Sequence, residues 1–131
     1  MSKEKPDGHR IVIVEDSATQ ALQLCSLLES YGLEVIVADN GVDGLQAVQD
    51  FQPAAVVLDL EMPGMNGLQV CQHIKSTRAT KDIPVIMFTR HDDREAVILG
   101  LQFGAVEYIP KDTFANVILV ETLRQMGLII D

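Results

Sequence analysis

From Ile11 to Ile74 the chain contains no lysine and no arginine, yet the same stretch carries nine acids: Glu15, Asp16, Glu29, Glu34, Asp39, Asp43, Asp50, Asp59 and Glu61. The other ten acids are balanced by ten bases, so the net charge of −9 originates in the first half. A chain so poor in cations there lacks the Lys and Arg that neutralise a phosphate backbone, which argues against direct nucleic-acid binding. It also lacks a basic membrane-surface helix and any apolar run near the roughly 20 residues that span a bilayer. The opening MSKEKPDGHR has no apolar core of a signal peptide. The expectation is a cytoplasmic protein without membrane contact. Cysteine is scarce: Cys25 and Cys71 lie far apart among apolar neighbours, where reduced Cys acts as a small hydrophobe. His9, His73 and His91 share no metal-ligand spacing, which argues against zinc, and Met62, Met65 and Met87 read as packing.

What the chain does have is 131 residues, 47% of them hydrophobic, enough for one domain with a substantial core. Residues 1–10 read as a loose tail, 11–127 as the folded domain and 128–131 as a short C-terminal extension. The apolar ending Met126–Ile130 is expected to pack in a dimer or to continue into a further segment. No output domain is expected within this length.

Short apolar blocks alternate with helical spacings. Ile11–Val14 and Ala54–Leu58 each stop abruptly at an acid, and Val35–Ala38, Val85–Phe88 and Val106–Ile109 add three more. Continuous rather than alternating hydrophobicity predicts strands buried on both faces, as in a parallel sheet. Between them, apolar residues recur at helical spacing around Ala18–Leu28, Val42–Val48, Leu68–Ile74, Ala96–Leu101 and Val117–Leu123. Gly32 marks the end of the first helix, Asn40-Gly41 opens the second, and Asp112 or Thr113 is expected to cap the last. Five βα units predict an α/β fold: an open five-stranded parallel sheet with helices on both faces.

In such folds ligands bind beyond the carboxyl ends of the strands. Those ends carry Glu15-Asp16, Asp59 and Thr89, with Lys111 just past the fifth strand. Together with Glu61, up to four carboxylates are expected in one small space, an arrangement that repulsion opposes unless a cation joins them. Mg²⁺, which takes one or two carboxylates, water and phosphate oxygens, suits that set. Lys111 offers a point charge and Thr89 a hydroxyl to an incoming phosphoryl group, so the constellation fits phosphoryl transfer onto a carboxylate. Singly, each residue has a plainer role as a turn, a cap or a solvated charge. Caps alone do not explain acids, hydroxyl and lysine at the same end of several strands.

These residues resemble the receiver domains of two-component response regulators, from Arg10 to about Gly127. The motifs are Glu15-Asp16 after IVIV, VVLDLEMPGMNGL at Val56–Leu68, FTR at Phe88–Arg90 and YIPK at Tyr108–Lys111. The resemblance implies a (βα)5 flavodoxin-like fold with strand order 2-1-3-4-5. It implies that Asp59 accepts a phosphoryl group from a sensor histidine kinase or histidine phosphotransfer protein. Asp16, Asp59 and the Glu61 backbone carbonyl would hold Mg²⁺, Glu15 acting through water. Thr89 and Lys111 would hold phosphoryl oxygens, and Tyr108 would be the switch aromatic that moves with Thr89. The surface of the fourth helix, fifth strand and fifth helix would then change toward a downstream protein, an output domain or a homodimer partner. Gly64 and Gly67 would leave the backbone near the acceptor unobstructed. Uncharged Thr19, Gln20, Gln23 and Ser26 on the first helix suit docking of a phosphotransfer helix.

The chain departs from the family pattern in Glu15 for a first Asp, in Arg90 beside Thr89, and in Asp112 where Pro is frequent after the lysine. Arg90 either shields the phosphoryl site or points to solvent and pairs with Asp92 or Asp93. A trans Lys111–Asp112 peptide is expected. Two other readings compete: a haloacid-dehalogenase-like phosphatase with Asp59 as nucleophile and Glu61 as the second acid, and a receiver-like interaction module that works without phosphorylation. Retention of Asp16, Asp59, Thr89 and Lys111 weighs against the last. On the main reading the chain is a signalling phosphoacceptor rather than an enzyme.

Overall fold

The computed structural model describes residues 9–90 and 94–130, in which strands and helices alternate throughout. The order is β1 (Arg10–Val14), α1 (Ala18–Glu29), β2 (Glu34–Ala38), α2 (Gly41–Phe51), β3 (Ala55–Leu58), α3 (Gly67–Ser76), β4 (Val85–Thr89), α4 (Arg94–Gln102), β5 (Glu107–Pro110) and α5 (Ala115–Gln125). All pairings are parallel and the strand order is β2-β1-β3-β4-β5. The register sets Val14 beside Ala38 and Leu58, so the acids that follow β1 and β3 emerge at one edge.

The unbroken apolar runs resolve into two faces. Val12, Val14, Val56, Leu58, Val85 and Met87 pack with Val48, Val70 and Ile74 of α2 and α3. Ile11, Ile13, Val57, Ile86 and Phe88 pack with Leu24, Leu28, Leu119 and Leu123 of α1 and α5. Because successive strand residues point to opposite faces, both parities must be apolar when helices cover both sides. Full burial of a single Ile or Leu contributes roughly 1.5–3 kcal/mol relative to exposure.

Helix starts follow local chemistry. Ser17 caps α1 by accepting from the Gln20 amide, and Asn40 caps α2 by accepting from Asp43 N–H at 2.8 Å. Asn66 and Gln69 form a reciprocal capping box at α3, with bonds of 3.0 and 2.9 Å. The expected cap of α5 is corrected. Its first-turn cap residue is Phe114, without a side-chain bond, and Asp112 Oδ1 instead accepts from Phe114 N–H at 2.9 Å, closing a turn just ahead of the helix.

The C-terminal segment folds back onto its own domain. After α5, Gly127 takes a positive φ of 83° and Leu128 N–H bonds back to Leu123 C=O at 3.0 Å. This reversal lays Ile129 on the α1/α5 core at 3% exposure, with Met126 and Leu128 packed against the same core. Of these side chains only Ile130 is strongly exposed, so the apolar ending is largely satisfied within its own fold.

Among the described residues no helix is long and apolar enough to cross a membrane. Both cysteines are free, Cys25 half-buried on α1 and Cys71 buried on α3. Burial pushes the Cys71 thiol up to about 11, against a smaller pull from Lys75. Only the thiolate attacks an alkylating reagent, and at pH 8 that fraction is on the order of 10⁻³ for such a group. Iodoacetamide on the native protein is therefore expected to modify Cys25 slowly and to spare Cys71 until denaturant is added, as peptide mapping would read out.

Candidate functional site

Glu15 and Asp59 directly follow β1 and β3, and their main chains are tied into the sheet: Asp59 N–H bonds to Val14 C=O at 3.1 Å, and Glu15 N–H to Ala38 C=O at 3.0 Å. Both side chains are buried, whereas Asp16 is exposed at the start of the turn into α1. One carboxylate oxygen from each of Glu15, Asp16 and Asp59 lies within 4.8 Å of the others. Three acids so placed repel one another, and three hard oxygen donors with one open side suit a hard cation.

Lys111 supplies a positive charge from the opposite side of the molecule's sequence. Its own backbone N–H bonds to Thr89 C=O at 2.7 Å, which anchors the residue where β5 passes the end of β4. Its ammonium donates to Glu15 Oε1 at 2.6 Å, to Asp59 Oδ2 at 3.0 Å and to Gln20 Oε1. The lysine side chain is 13% exposed, so both ion pairs are largely shielded from water. Burial pushes the Glu15 carboxyl above its usual range, while Lys111 and the Ser17 N–H pull it down and the Asp59 charge pushes it further up.

Each oxygen of Asp59 has a distinct partner. Oδ2 faces Lys111, and Oδ1 accepts from Glu61 N–H at 3.0 Å. The turn role and the chemical role of a strand-end Asp thus coexist in one residue. The Glu61 carboxyl is a correction: it is exposed and is not among the three converging acids. The chain turns at Asp59-Leu60-Glu61 so that the amide of Glu61 points to Asp59. Gln20 has a contact that sequence reasoning missed: helix geometry puts the third residue of α1 over the strand ends, within reach of Lys111.

Thr89 ends β4 fully buried. Tyr108 is also buried, its ring lying in the α2/α3/α4 core against Gly100 of α4, where an added Cβ would stand 2.8 Å from the ring. Arg90 is exposed and lines a cavity of about 360 Å³ with Gln20, Gln23, Lys111 and Asn116. Its expected pairing with Asp92 or Asp93, and the loop beginning at His91, lie outside the described residues. The Lys111–Asp112 peptide is trans, as expected, and no cis bond occurs among the described residues.

Comparison with known proteins agrees with this geometry. A profile of the response regulator receiver domain family matches residues 11–124. The DNA-binding response regulator MtrA of Mycobacterium tuberculosis is 39% identical over 113 residues, covering 82% of this chain and 48% of that protein. The chain therefore spans about half the length of that relative. Protein PilH of Pseudomonas aeruginosa is 37% identical over 102 residues, covering 78% of this chain and 84% of PilH. The crystal structure of the signal receiver domain of a DNA-binding response regulator from Colwellia psychrerythraea matches with a TM-score of 0.83 and 31% identity, covering 91% of this chain and 98% of that one.

Proposed function

The chain belongs to the response regulator receiver domain family, and from that premise we propose that it is a phosphoacceptor whose Asp59 takes a phosphoryl group from a phosphohistidine. The observation that supports this best is the Lys111 ammonium bonded at once to Glu15 and Asp59 beside a three-carboxylate cluster. An oxygen of Asp59 forms a bond to phosphorus as the donor's phosphorus–nitrogen bond breaks, and that bond's electron pair returns to the imidazole nitrogen.

Lys111 is already in contact with the nucleophile and supplies positive charge where phosphoryl oxygens arrive. Thr89 would offer its hydroxyl to the same group. The cluster fits Mg²⁺: Asp16, Asp59 and the Glu61 carbonyl would hold it, with Glu15 acting through water. When bound, the metal neutralises the acids and the phosphoryl oxygens. Lys111 occupying two of those carboxylates is consistent with a site that seeks positive charge.

The new charge on Asp59 would draw Thr89 and Lys111 and bias the Tyr108 ring between two positions. The responding surface would be α4, β5 and α5, where Ile98, Leu101, Val106 and Ile118 are exposed. Exposed apolar side chains along this edge suit a downstream protein, an output domain or a second copy. Donors would be a sensor histidine kinase or a histidine phosphotransfer protein, in the cytoplasm. The name of MtrA attaches DNA binding to that relative; at −9 this chain offers phosphate backbones no basic footprint.

Acetyl phosphate with Mg²⁺ is expected to add one phosphoryl group per chain by intact mass, and EDTA to prevent it. Steady release of phosphate at high turnover, with no labelled chain detectable, would instead mark a phosphatase.

A further inference from the structure

Lys111 has three N–H donors, and all three are used: Glu15, Asp59 and Gln20. Two of these acceptors belong to the carboxylate cluster. The third is a neutral amide on another element, and it lies between the cluster and the cavity that it lines with Arg90 and Asn116. The backbone of Gln20 is itself fixed, because its N–H donates to the capping Ser17 hydroxyl at 3.3 Å.

Consider the ammonium without Gln20. It would face two buried carboxylates and no counterweight, and attraction would draw it deeper among the acids, into the space a divalent cation would need. With Gln20 it is held at the rim, the donor that Gln20 accepts turned outward, so that this donor can pass to a phosphoryl oxygen on Asp59 while the bond to Glu15 persists. We infer that Gln20 is a positioning residue for Lys111, holding the ammonium at the edge of the acidic cluster on the side from which the phosphoryl group enters. The inference rests on the phosphoacceptor reading of Asp59 for its kinetic consequence, but its geometric content stands apart from it.

Two variants separate the role from general damage. Gln20→Met keeps length and helix propensity and removes the acceptor; Gln20→Glu keeps an acceptor oxygen at the same reach. The first readout needs no phosphorylation: the NH₃⁺ signal of Lys111 in a ¹H–¹⁵N spectrum of lysine-labelled protein, assigned by its loss in Lys111→Arg. Protons held by acceptors exchange slowly with water, so the signal is expected in all three proteins, at the wild-type position in Gln20→Glu and displaced from it in Gln20→Met, where the ammonium sinks toward Glu15 and Asp59. The second is the rate of labelling by acetyl phosphate at saturating Mg²⁺, expected to fall about tenfold in Gln20→Met, as for loss of one hydrogen bond to a charged group. The Mg²⁺ concentration for half-maximal labelling is expected to rise in the same variant. An unchanged Lys111 signal in Gln20→Met, its displacement in Gln20→Glu, or wild-type labelling by Gln20→Met would overturn the inference. If the wild type itself takes no label, the phosphoacceptor reading fails, while the spectra still decide whether Gln20 holds Lys111.

Discussion

Replacing Gly67 by Ala is expected to lower stability by about 1–3 kcal/mol, the usual cost of overpacking a site that cannot yield, and to slow phosphorylation more than any change of similar size nearby. The reason is steric. A Cβ at position 67 would stand 2.4 Å from the Asp59 carbonyl oxygen and 2.7 Å from Leu60 Cα, atoms of the main chain that directly follows β3. Gly67 N–H also bonds to Leu60 C=O at 3.0 Å, so the first residue of α3 is clamped on the segment that carries Asp59. To admit a methyl group, either α3 or the Asp59-Leu60 backbone must move, and the second choice shifts the Asp59 carboxylate relative to Lys111. Gly64→Ala is the control. Gly64 has a φ of 74° but nothing within 4 Å of an added Cβ, so its substitution is expected to cost only about 1 kcal/mol of backbone strain. Labelling by acetyl phosphate, measured with urea unfolding of both variants, checks the contrast. Equal losses in the two would show that open backbone conformation, rather than close approach to Asp59, is what this loop needs.

Lys111→Met is expected to have the larger chemical effect. Removal of the ammonium takes a donor from buried Glu15 and buried Asp59 at once, and an ionised group left without its partner costs about 1–3 kcal/mol or more. The loss has a defined pH dependence. Lys111 pulls the Glu15 carboxyl down against the burial that pushes it up; without Lys111 the folded-state value rises further above 4.5. In the window above 4.5 the folded variant then holds a proton that the unfolded chain has released. Stability therefore falls as pH rises through that window, and the gap to the wild type widens toward neutral pH. Thermal unfolding across this range tests the sign: a gap that narrows with rising pH would contradict the assignment of Glu15. Added Mg²⁺ is expected to restore part of the loss by binding the folded state. The rate of labelling, by contrast, is expected to fall by 10²-fold or more, about the effect of removing one preorganised charge from a transition state. Metal should not recover it, because the two cations act on different oxygens.

The fold was legible because its physical signals are local and repeated. Five β-branched or apolar blocks, four of them ending at a polar residue, separated by helical spacing, leave little choice but a parallel sheet covered on both sides. β1, β3 and β4 lie where the apolar runs place them, within one residue. The site was legible for the same reason: Glu15 and Asp59 directly follow β1 and β3, Thr89 ends β4, and parallel strands bring those ends together. What the sequence did not disclose depends on where a chain points after it leaves an element. Glu61 is two residues from Asp59, yet it is the Glu61 amide that meets Asp59, and its carboxyl is not among the three that converge. Gln20 lay on a face that its polarity alone suggested was free, and only helix phase against β5 reveals Lys111 above it. The apolar ending looked unsatisfied because the reversal at Gly127, which folds Ile129 onto the core, is set by a single backbone angle. Asp112 likewise makes a turn one step before the helix that it was expected to cap.

Lys111, Gly67 and the Glu61 amide all meet at the Asp59 segment. The most direct test treats the wild type with acetyl phosphate and Mg²⁺, reduces the product with borohydride, and maps the peptides. Reduction turns a phosphorylated aspartyl side chain into an alcohol, which marks its position in the sequence permanently. The expected result is conversion at Asp59 alone, with Asp59→Ala unlabelled under the same conditions. Conversion at Asp16 or another acid, or equal labelling of Asp59→Ala, would contradict the central claim.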